Sequence, residues 1–232
     1  MRLRLLGPLE LLDAQGGPVA VSGAKQKAVL AALAVRGTVS ADRLVRELWG
    51  NTPPANAVNA LQAHITRLRR TVEADRLVTG PPGYTLMLKP GETDTAEFTS
   101  TVAEARTAGD PIPLLRRALA LWRGPALAGC VLGDICAAEA AVLDERRLTA
   151  LELLYTASLR AGRHREVVGE LARSTSAFPL RERFYEQLIV ALCRCGRRAD
   201  AVEVYDRARH RLNTELGVDP GPTLRRAIST LP

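Results

Sequence analysis

Between residues 51 and 72, apolar side chains recur three or four positions apart, and the positions between them hold amides and basic groups but no acid. The apolar positions are Ala57, Val58, Leu61, Ile65, Leu68 and Val72. This spacing predicts an amphipathic helix from Pro54 to about Val72, because every third or fourth residue lies on one face of a helix. We expect one face to pack on a core and the other to be polar and basic.

The segments on either side of this helix predict a winged helix-turn-helix. Residues 25–36 and 41–49 have helical periodicity, and Ser40 is suited to cap the second of these helices. A short link rich in Gly and Pro leads from there into the basic helix, as in a helix-turn-helix. After it, two extended runs flank the Gly-Pro-Pro-Gly sequence at residues 80–83, a pattern typical of a β-hairpin. Three short strands are predicted before the first helix, at residues 3–6, 9–12 and 18–21.

From about residue 93 onward the periodicity is helical, and part of it repeats. Residues 160–168 match residues 194–202 at an offset of 34, which is the period of tetratricopeptide helix pairs. Further helices are predicted near residues 95–106, 114–122 and 139–159. We therefore predict a mainly α protein with a small β content. It would comprise a winged-helix domain at residues 1–91 and an all-α, tetratricopeptide-like domain at residues 92–232.

The distribution of charge along the chain bears on the kind of partner that the protein binds. The chain of 232 residues carries a net charge of +7, and only 4% of its residues are aromatic, which favours a helical core of Leu, Ala and Val. Residues 1–89 hold 12 Lys and Arg against 6 Asp and Glu, whereas the remainder holds 20 against 19. The excess positive charge therefore lies on the segment with the basic helix, which indicates a negatively charged partner such as DNA.

The polar face of the basic helix offers the side chains that read base edges in the DNA major groove, where Arg pairs with guanine and Asn or Gln with adenine. Its candidate DNA-binding residues are Asn56, Asn59, Gln62, His64, Thr66, Arg67, Arg69 and Arg70. Lys25 and Lys27 open an earlier helix, where free backbone amides favour a phosphate. Thr79 and Thr85 of the hairpin can donate to the DNA backbone.

Less specific interpretations stand beside these assignments. The basic helix is also compatible with a solvated surface helix, and His64, next to Ile65, can simply pack at the domain edge. Arg69 can turn toward the DNA backbone or pair with Glu73, its neighbour one helical turn later. In the second half, basic residues alternate with acids, which is typical of ion pairs within the protein.

No pattern in the chain indicates an enzyme, a cofactor or a metal site. The three histidines lie in no motif with a nucleophile or paired carboxylates, and the four cysteines lack zinc-ligand spacing. No segment resembles a signal peptide or approaches the roughly 18 apolar residues of a membrane span. We expect a cytoplasmic, nucleoid-associated protein that does not contact a membrane.

Five segments, in their order and spacing, resemble the Streptomyces antibiotic regulatory protein family. They are residues 61–70 (LQAHITRLRR), 83–86 (GYTL), 121–127 (LWRGPAL), 179–183 (PLRER) and 215–222 (ELGVDPGP). The resemblance covers nearly the whole chain and implies a response-regulator-type winged helix followed by a bacterial transcriptional activator domain. At one position the chain departs from the family, whose members usually carry Arg after the wing Gly-Tyr pair, where this chain has Thr85.

The resemblance implies a sequence-specific transcriptional activator of an antibiotic biosynthesis cluster. Such a protein binds directly repeated promoter elements as a homodimer or tandem pair and recruits RNA polymerase holoenzyme. The alternative is a helical-repeat interaction adaptor whose basic N-terminal domain binds polyanions without sequence preference. Repression also stays open, because the position of the binding site relative to the promoter is not encoded in the protein.

Overall fold

The computed structural model describes residues 1–73 and 75–229. Its residues form two compact units: unit 1 comprises Met1–Ala108 and Arg116–Leu148, and unit 2 comprises Gly109–Leu115 and the chain from Thr149 onward. The described residues are mainly helical and form two small sheets, so the predicted fold class is confirmed.

Unit 1 contains the winged helix-turn-helix. Its first antiparallel sheet has the order β1 (Arg2–Arg4), β2 (Glu10–Leu12) and β3 (Pro18–Val19). Its first helices are α1 (Ala24–Arg36), α2 (Ala41–Trp49), α3 (Ala57–Arg69) and α4 (Asp94–Ala105). The second antiparallel sheet has the order β4 (Thr38–Ser40), β6 (Gly83–Leu86) and β5 (Leu77–Gly80), and β5 and β6 form the wing. Helices α5 (Ile112–Leu119) and α6 (Asp134–Arg160) contribute residues to both units.

The predicted helix at residues 41–49 is confirmed to the residue, whereas the basic helix is shorter than predicted. The Ser40 hydroxyl accepts a hydrogen bond from the Arg43 amide and thereby caps α2. Helix α3 begins at Ala57 instead of Pro54, because the backbone of Asn56, at φ −106° and ψ 39°, is not helical. The helix ends at Arg69, although Val72 remains buried in the same core as Leu61 and Ile65.

The segment around the predicted joint is bound to the first sheet. The Leu3 amide donates to the Glu92 carbonyl at 2.7 Å, and the Leu127 amide donates to the Leu5 carbonyl at 2.9 Å. Leu127 and Ile135 belong to the same buried core as the winged helix. Unit 1 therefore extends well beyond residue 91, and the division at residues 91 and 92 stays a prediction about sequence modules.

Unit 2 contains the predicted repeat. Its further helices are α7 (His164–Ala177), α8 (Glu182–Arg194), α9 (Arg198–Leu216) and α10 (Pro222–Ser229). Gly162 lies between α6 and α7, and Gly196 lies at the equivalent place between α8 and α9. Their φ angles of +75° and +77° are nearly the same, and they fall in the left-handed region that favours glycine. The match at an offset of 34 therefore reflects two structurally equivalent helix connections.

Candidate DNA interface

Helix α3 buries one face and exposes the opposite one. Leu61, Ile65 and Leu68 are almost fully buried in the core of unit 1. At 3.6 residues per turn, the opposite side of the helix carries four exposed polar residues. The positions directly before and after the helix, Asn56 and Arg70, add two more on the same side. We call these residues the outer face of α3: Asn56, Asn59, Gln62, Thr66, Arg67 and Arg70. The structure thus brings together most of the predicted DNA-binding residues on one surface.

Arg67 and Arg70 are the charged members of the outer face. Within the described residues, neither guanidinium has a hydrogen-bond or ion-pair partner. Arginine presents donors in a planar fork that matches both guanine and phosphate. The two side chains are therefore free to bind a ligand from outside the chain.

Arg69 differs from its two neighbours because the protein itself uses it. Its Nε donates to the Leu77 carbonyl at 3.1 Å, and its Nη2 donates to the Thr79 hydroxyl at 2.5 Å. Both acceptors belong to β5, so Arg69 links the end of α3 to the wing. The pairing of Arg69 with Glu73, one of the two options for this side chain, is not formed. The Glu73 carboxylate instead accepts hydrogen bonds from the Met1 amino group and from Arg76.

His64 lies at the edge between the buried and exposed faces of α3. Its ring centroid is 6.2 Å from that of Trp49 in α2, and its side chain is half-buried. Burial lowers the pKa of His64, and the nearby charges of Arg67 and Lys25 lower it further. The lowered pKa favours the neutral imidazole at neutral pH. A neutral ring can form hydrogen bonds with base edges but offers no charge to a phosphate. Packing at the domain edge is therefore part of the role of His64.

The two lysines of α1 also contact other parts of unit 1. Lys25 Nζ lies 4.7 Å from the centre of the Trp49 ring, which is a cation–π contact. Lys27 is half-buried, and its charge acts on the Cys130 thiol. Whether either lysine also reaches a phosphate stays a prediction, since both ammonium groups retain donors beyond these contacts.

The two wing threonines are placed differently. Thr79 is exposed on the edge strand β5, and after accepting from Arg69 its hydroxyl can still donate to a phosphate. Thr85 lies on the central strand β6, opposite Thr38, and the two hydroxyl oxygens are 2.8 Å apart. Thr85 is half-buried, so Thr79 is the better placed of the two for a backbone contact.

Arg43 and Arg46 of α2 complement this surface and were not among the predicted residues. Both side chains are exposed, and neither has a hydrogen-bond or ion-pair partner among residues 1–73 and 75–229. The first helix of a helix-turn-helix crosses the DNA backbone, where arginines bind phosphates. These two residues could have been predicted from the sequence, because they are three positions apart on the polar side of the predicted helix.

A buried carboxylate fixes the position of the helix-turn-helix within unit 1. Glu47 of α2 is 2% exposed, and its two oxygens accept hydrogen bonds from the Ile135 and Cys136 amides, at 2.7 and 3.0 Å. These amides belong to the first turn of α6, where unpaired N–H groups favour a negative charge. Gly133 allows the close approach, because a Cβ there would lie 2.3 Å from the Glu47 carbonyl oxygen.

Asp94, in the first turn of α4, makes an equivalent contact with the backbone that directly follows β1. Its carboxylate accepts from the Leu5 and Leu6 amides at 2.7 and 3.1 Å, and Arg123 lies 3.6 Å away. Burial raises the pKa of Asp94, while the two amide hydrogen bonds and Arg123 act in the opposite direction. The backbone that carries the recognition surface is thus held by two buried carboxylates, Glu47 and Asp94.

Within the described residues, no group of three or more His, Cys, Asp or Glu side chains is arranged to hold a metal ion. No helix in the described part of the chain is both long enough and apolar enough to span a membrane.

Comparison with known proteins places the chain among bacterial transcriptional regulators. The model of the bacterial transcriptional activator domain matches residues 93–231. The transcriptional regulator RedD of Streptomyces coelicolor is 40% identical, and the alignment covers 97% of this chain and 69% of RedD. The regulatory protein AfsR of the same organism is 41% identical over 97% of this chain, but the chain spans only 23% of AfsR.

A solved structure has the same fold. Mycobacterium tuberculosis EmbR, in complex with a low-affinity phosphopeptide, matches 99% of this chain with a TM-score of 0.91 and 31% sequence identity. The match covers 64% of the EmbR chain, so part of EmbR has no counterpart in this sequence.

Proposed function

We propose that this chain, which belongs to the Streptomyces antibiotic regulatory protein family, is a sequence-specific DNA-binding transcriptional activator of an antibiotic biosynthesis cluster. Its relatives are transcriptional regulators, and its fold is a winged helix-turn-helix with a helical domain. The observation that carries the proposal is the outer face of α3. That face presents three amides and two guanidiniums that have no partner among the described residues, and these are the groups that read base edges in a major groove.

The proposed recognition has two components. Arg67 and Arg70 bind guanine edges, while Asn56, Asn59 and Gln62 bind adenine edges or phosphates. Around α3, the remaining contacts position the protein on the DNA backbone without reading the sequence. These positioning residues are Lys25, Lys27, Arg43, Arg46, Thr66 and Thr79, with His64 at the edge of the groove and Thr85 behind the wing tip.

Two copies of the chain bind directly repeated promoter elements in this proposal. One winged helix offers few phosphate contacts, and a second copy on an adjacent repeat raises the effective concentration of the first. The helical domain supports the contacts between copies and, as the family resemblance implies, the recruitment of RNA polymerase holoenzyme. Residues 90–232 carry almost no net charge, which suits protein contacts better than DNA binding.

A footprint of the full chain on the promoters near its own gene tests this proposal. We expect two protected repeats of the same orientation, separated by whole turns of the helix, and a preference of at least about 10³-fold over random duplex. Transcription of the same template with purified polymerase then gives the sign of regulation. Protection without sequence preference would favour the adaptor instead, and reduced transcription would make the protein a repressor.

A further inference from the structure

A cleft of about 500 Å³ opens within unit 2, between the last turns of α6, the start of α7 and the length of α8. Its walls include Thr156, Arg160, His164, Arg183, Gln187 and Arg194. A second cleft of about 380 Å³ shares Gly162, His164 and Arg194 with it and adds Arg163, Arg165 and Glu166. Because the two share three residues, we treat them as one surface and call it the arginine cleft.

The arginine cleft has a strong excess of positive charge. Its walls hold five arginines, at positions 160, 163, 165, 183 and 194, and two glutamates, at positions 166 and 186. Arg183 and Glu186 neutralise each other across 2.6 Å. In the part of the chain that the structure describes, Arg160 and Arg194 have no hydrogen-bond or ion-pair partner. This contrasts with α9, where Arg207, Arg209 and Arg211 are paired within the helix.

A buried amide in the cleft wall has an unused acceptor. Gln187 is 2% exposed, and its Nε2 donates to the Glu152 carbonyl at 2.8 Å and to the Thr156 hydroxyl at 2.9 Å. Among the described residues its Oε1 accepts no hydrogen bond. This oxygen is itself buried, so a ligand N–H reaches it only when the side chains over it shift. A buried acceptor without a donor is unfavourable, so a ligand that brings an N–H to it stabilises this wall.

The combination of free guanidiniums and an unused acceptor selects among anions. A phosphate or carboxylate ion satisfies the arginines but brings no N–H for Gln187. A nucleic-acid duplex is far wider than a cleft of this volume. An acidic peptide offers side-chain carboxylates to Arg160 and Arg194 together with backbone N–H groups for Gln187, and helix-pair repeats bind peptides in surfaces of this kind.

We propose that the arginine cleft binds an acidic peptide segment of a partner protein. The carboxylates of the peptide pair with Arg160, at the end of α6, and with Arg194, at the end of α8, and its backbone lies along α8. This site is separate from the outer face of α3 and does not depend on DNA recognition.

Fluorescence anisotropy of the full chain with a labelled peptide of alternating Glu and Ala residues tests the proposal. We expect binding to the wild type that weakens with added salt, and a loss of about tenfold in the Arg160→Ala, Arg194→Ala variant, or about 1.4 kcal/mol. The matched control is Arg173→Ala, an exposed arginine of α7 that does not line the cleft and whose loss should leave affinity unchanged. A Lys-Ala peptide of the same length should not bind.

A second control excludes the winged helix as the peptide site. The Arg67→Ala, Arg70→Ala variant should keep its affinity for the acidic peptide, while the cleft variant should keep its affinity for DNA. Equal peptide affinity in the cleft variant and in the Arg173→Ala variant would overturn the proposal. So would loss of peptide binding in the α3 variant, or no binding to the wild type at low salt. Circular dichroism of each variant confirms that the fold is retained.

Discussion

The outer face of α3 and the first sheet of unit 1 are both rich in arginine, but they use it in opposite ways. Around the first sheet, Arg4 pairs with Glu10, Arg123 pairs with Glu10 and Asp94, and Arg2 pairs with Glu97. On the outer face, Arg67 and Arg70 have no partner within the described residues. Positive charge that the fold neutralises serves to hold the structure, and positive charge that it leaves unpaired is available to a ligand.

The same contrast between arginines with and without a partner in the protein recurs within residues 68–70, at the end of α3. Leu68 is buried, Arg69 turns to the wing strand, and Arg70 is exposed and has no partner in the described part of the chain. Neighbouring arginines in one basic motif can therefore have unrelated roles.

The largest effect is expected from cutting the chain after residue 91. This removes Asp94, which accepts hydrogen bonds from the Leu5 and Leu6 amides. It also removes the core residues Leu127 and Ile135. Each buried Leu or Ile contributes about 2–5 kcal/mol, and the sum approaches the whole stability of a small domain. We expect the 1–91 fragment to lack cooperative thermal unfolding, measured by circular dichroism. The 1–148 fragment should recover it, and a cooperative transition in the 1–91 fragment would show that the supports are dispensable.

Among the charged residues that support unit 1, Glu47 should be the most costly to replace. Glu47→Ala leaves the Ile135 and Cys136 amides without acceptors, and a hydrogen bond to a charged group contributes about 1.5–3 kcal/mol. We expect a loss of about 3 kcal/mol in urea unfolding and a smaller loss for Glu47→Gln, which keeps one acceptor. Asp42→Ala, on the exposed side of the same helix, is the control and should cost about 0.5 kcal/mol. Equal losses in the two alanine variants would contradict the role of Glu47.

Arg69→Ala should mainly lower stability, whereas Arg67→Ala should mainly change base preference. Loss of the two contacts from Arg69 to β5 should lower stability by about 1 kcal/mol and weaken binding to all DNA sequences alike. Arg67→Ala should change stability by less than about 0.5 kcal/mol and change base preference instead. Urea unfolding and a selection of binding sites from random duplexes measure the two effects. The same pattern for both variants would remove the distinction between support and recognition.

The smallest effect is expected on the loss of stability at acidic pH, through the ion pairs of Arg76. The Met1 amino group and Arg76 lower the pKa of Glu73. Burial opposes the shift at Glu92, but Arg76 and the Lys89 amide lower its pKa. A carboxylate whose pKa is lowered in the folded state stabilises the fold at any pH above its ordinary pKa. That stabilisation disappears as the pH falls through the lowered pKa. Between about pH 5 and pH 3, the Arg76→Gln variant should therefore lose less stability than the wild type. Asp94, with a raised pKa, acts in the opposite direction but equally in both proteins. Parallel pH profiles would count against the contribution of Arg76.

The sequence predicted the elements whose signals are local. Ser40 and Gly50 define α2 from both ends, and the match between residues 160–168 and 194–202 located two equivalent helix connections. The start of α3 was predicted three residues early, because apolar spacing continues through a segment whose backbone is not helical.

The supports could not be predicted in the same way, because their partners are distant in sequence. Asp94 binds amides 88 and 89 residues away, and nothing in the local pattern names that partner. Glu47 did leave a local signal, since it lies on the same side of α2 as Leu44 and Leu48 and was bound to be buried. A carboxylate on an apolar helix face predicts a buried donor, even when the donor cannot be identified.

The central claim is that the outer face of α3 reads bases, and the affinity ratio between the promoter site and random duplex measures this directly. We expect the Arg67→Ala, Arg70→Ala variant to remain folded and to lose at least about tenfold of the ratio, since each base contact contributes about 1–3 kcal/mol. The Arg43→Ala, Arg46→Ala variant should weaken both affinities and leave the ratio unchanged. An unchanged ratio in the Arg67→Ala, Arg70→Ala variant would contradict the claim.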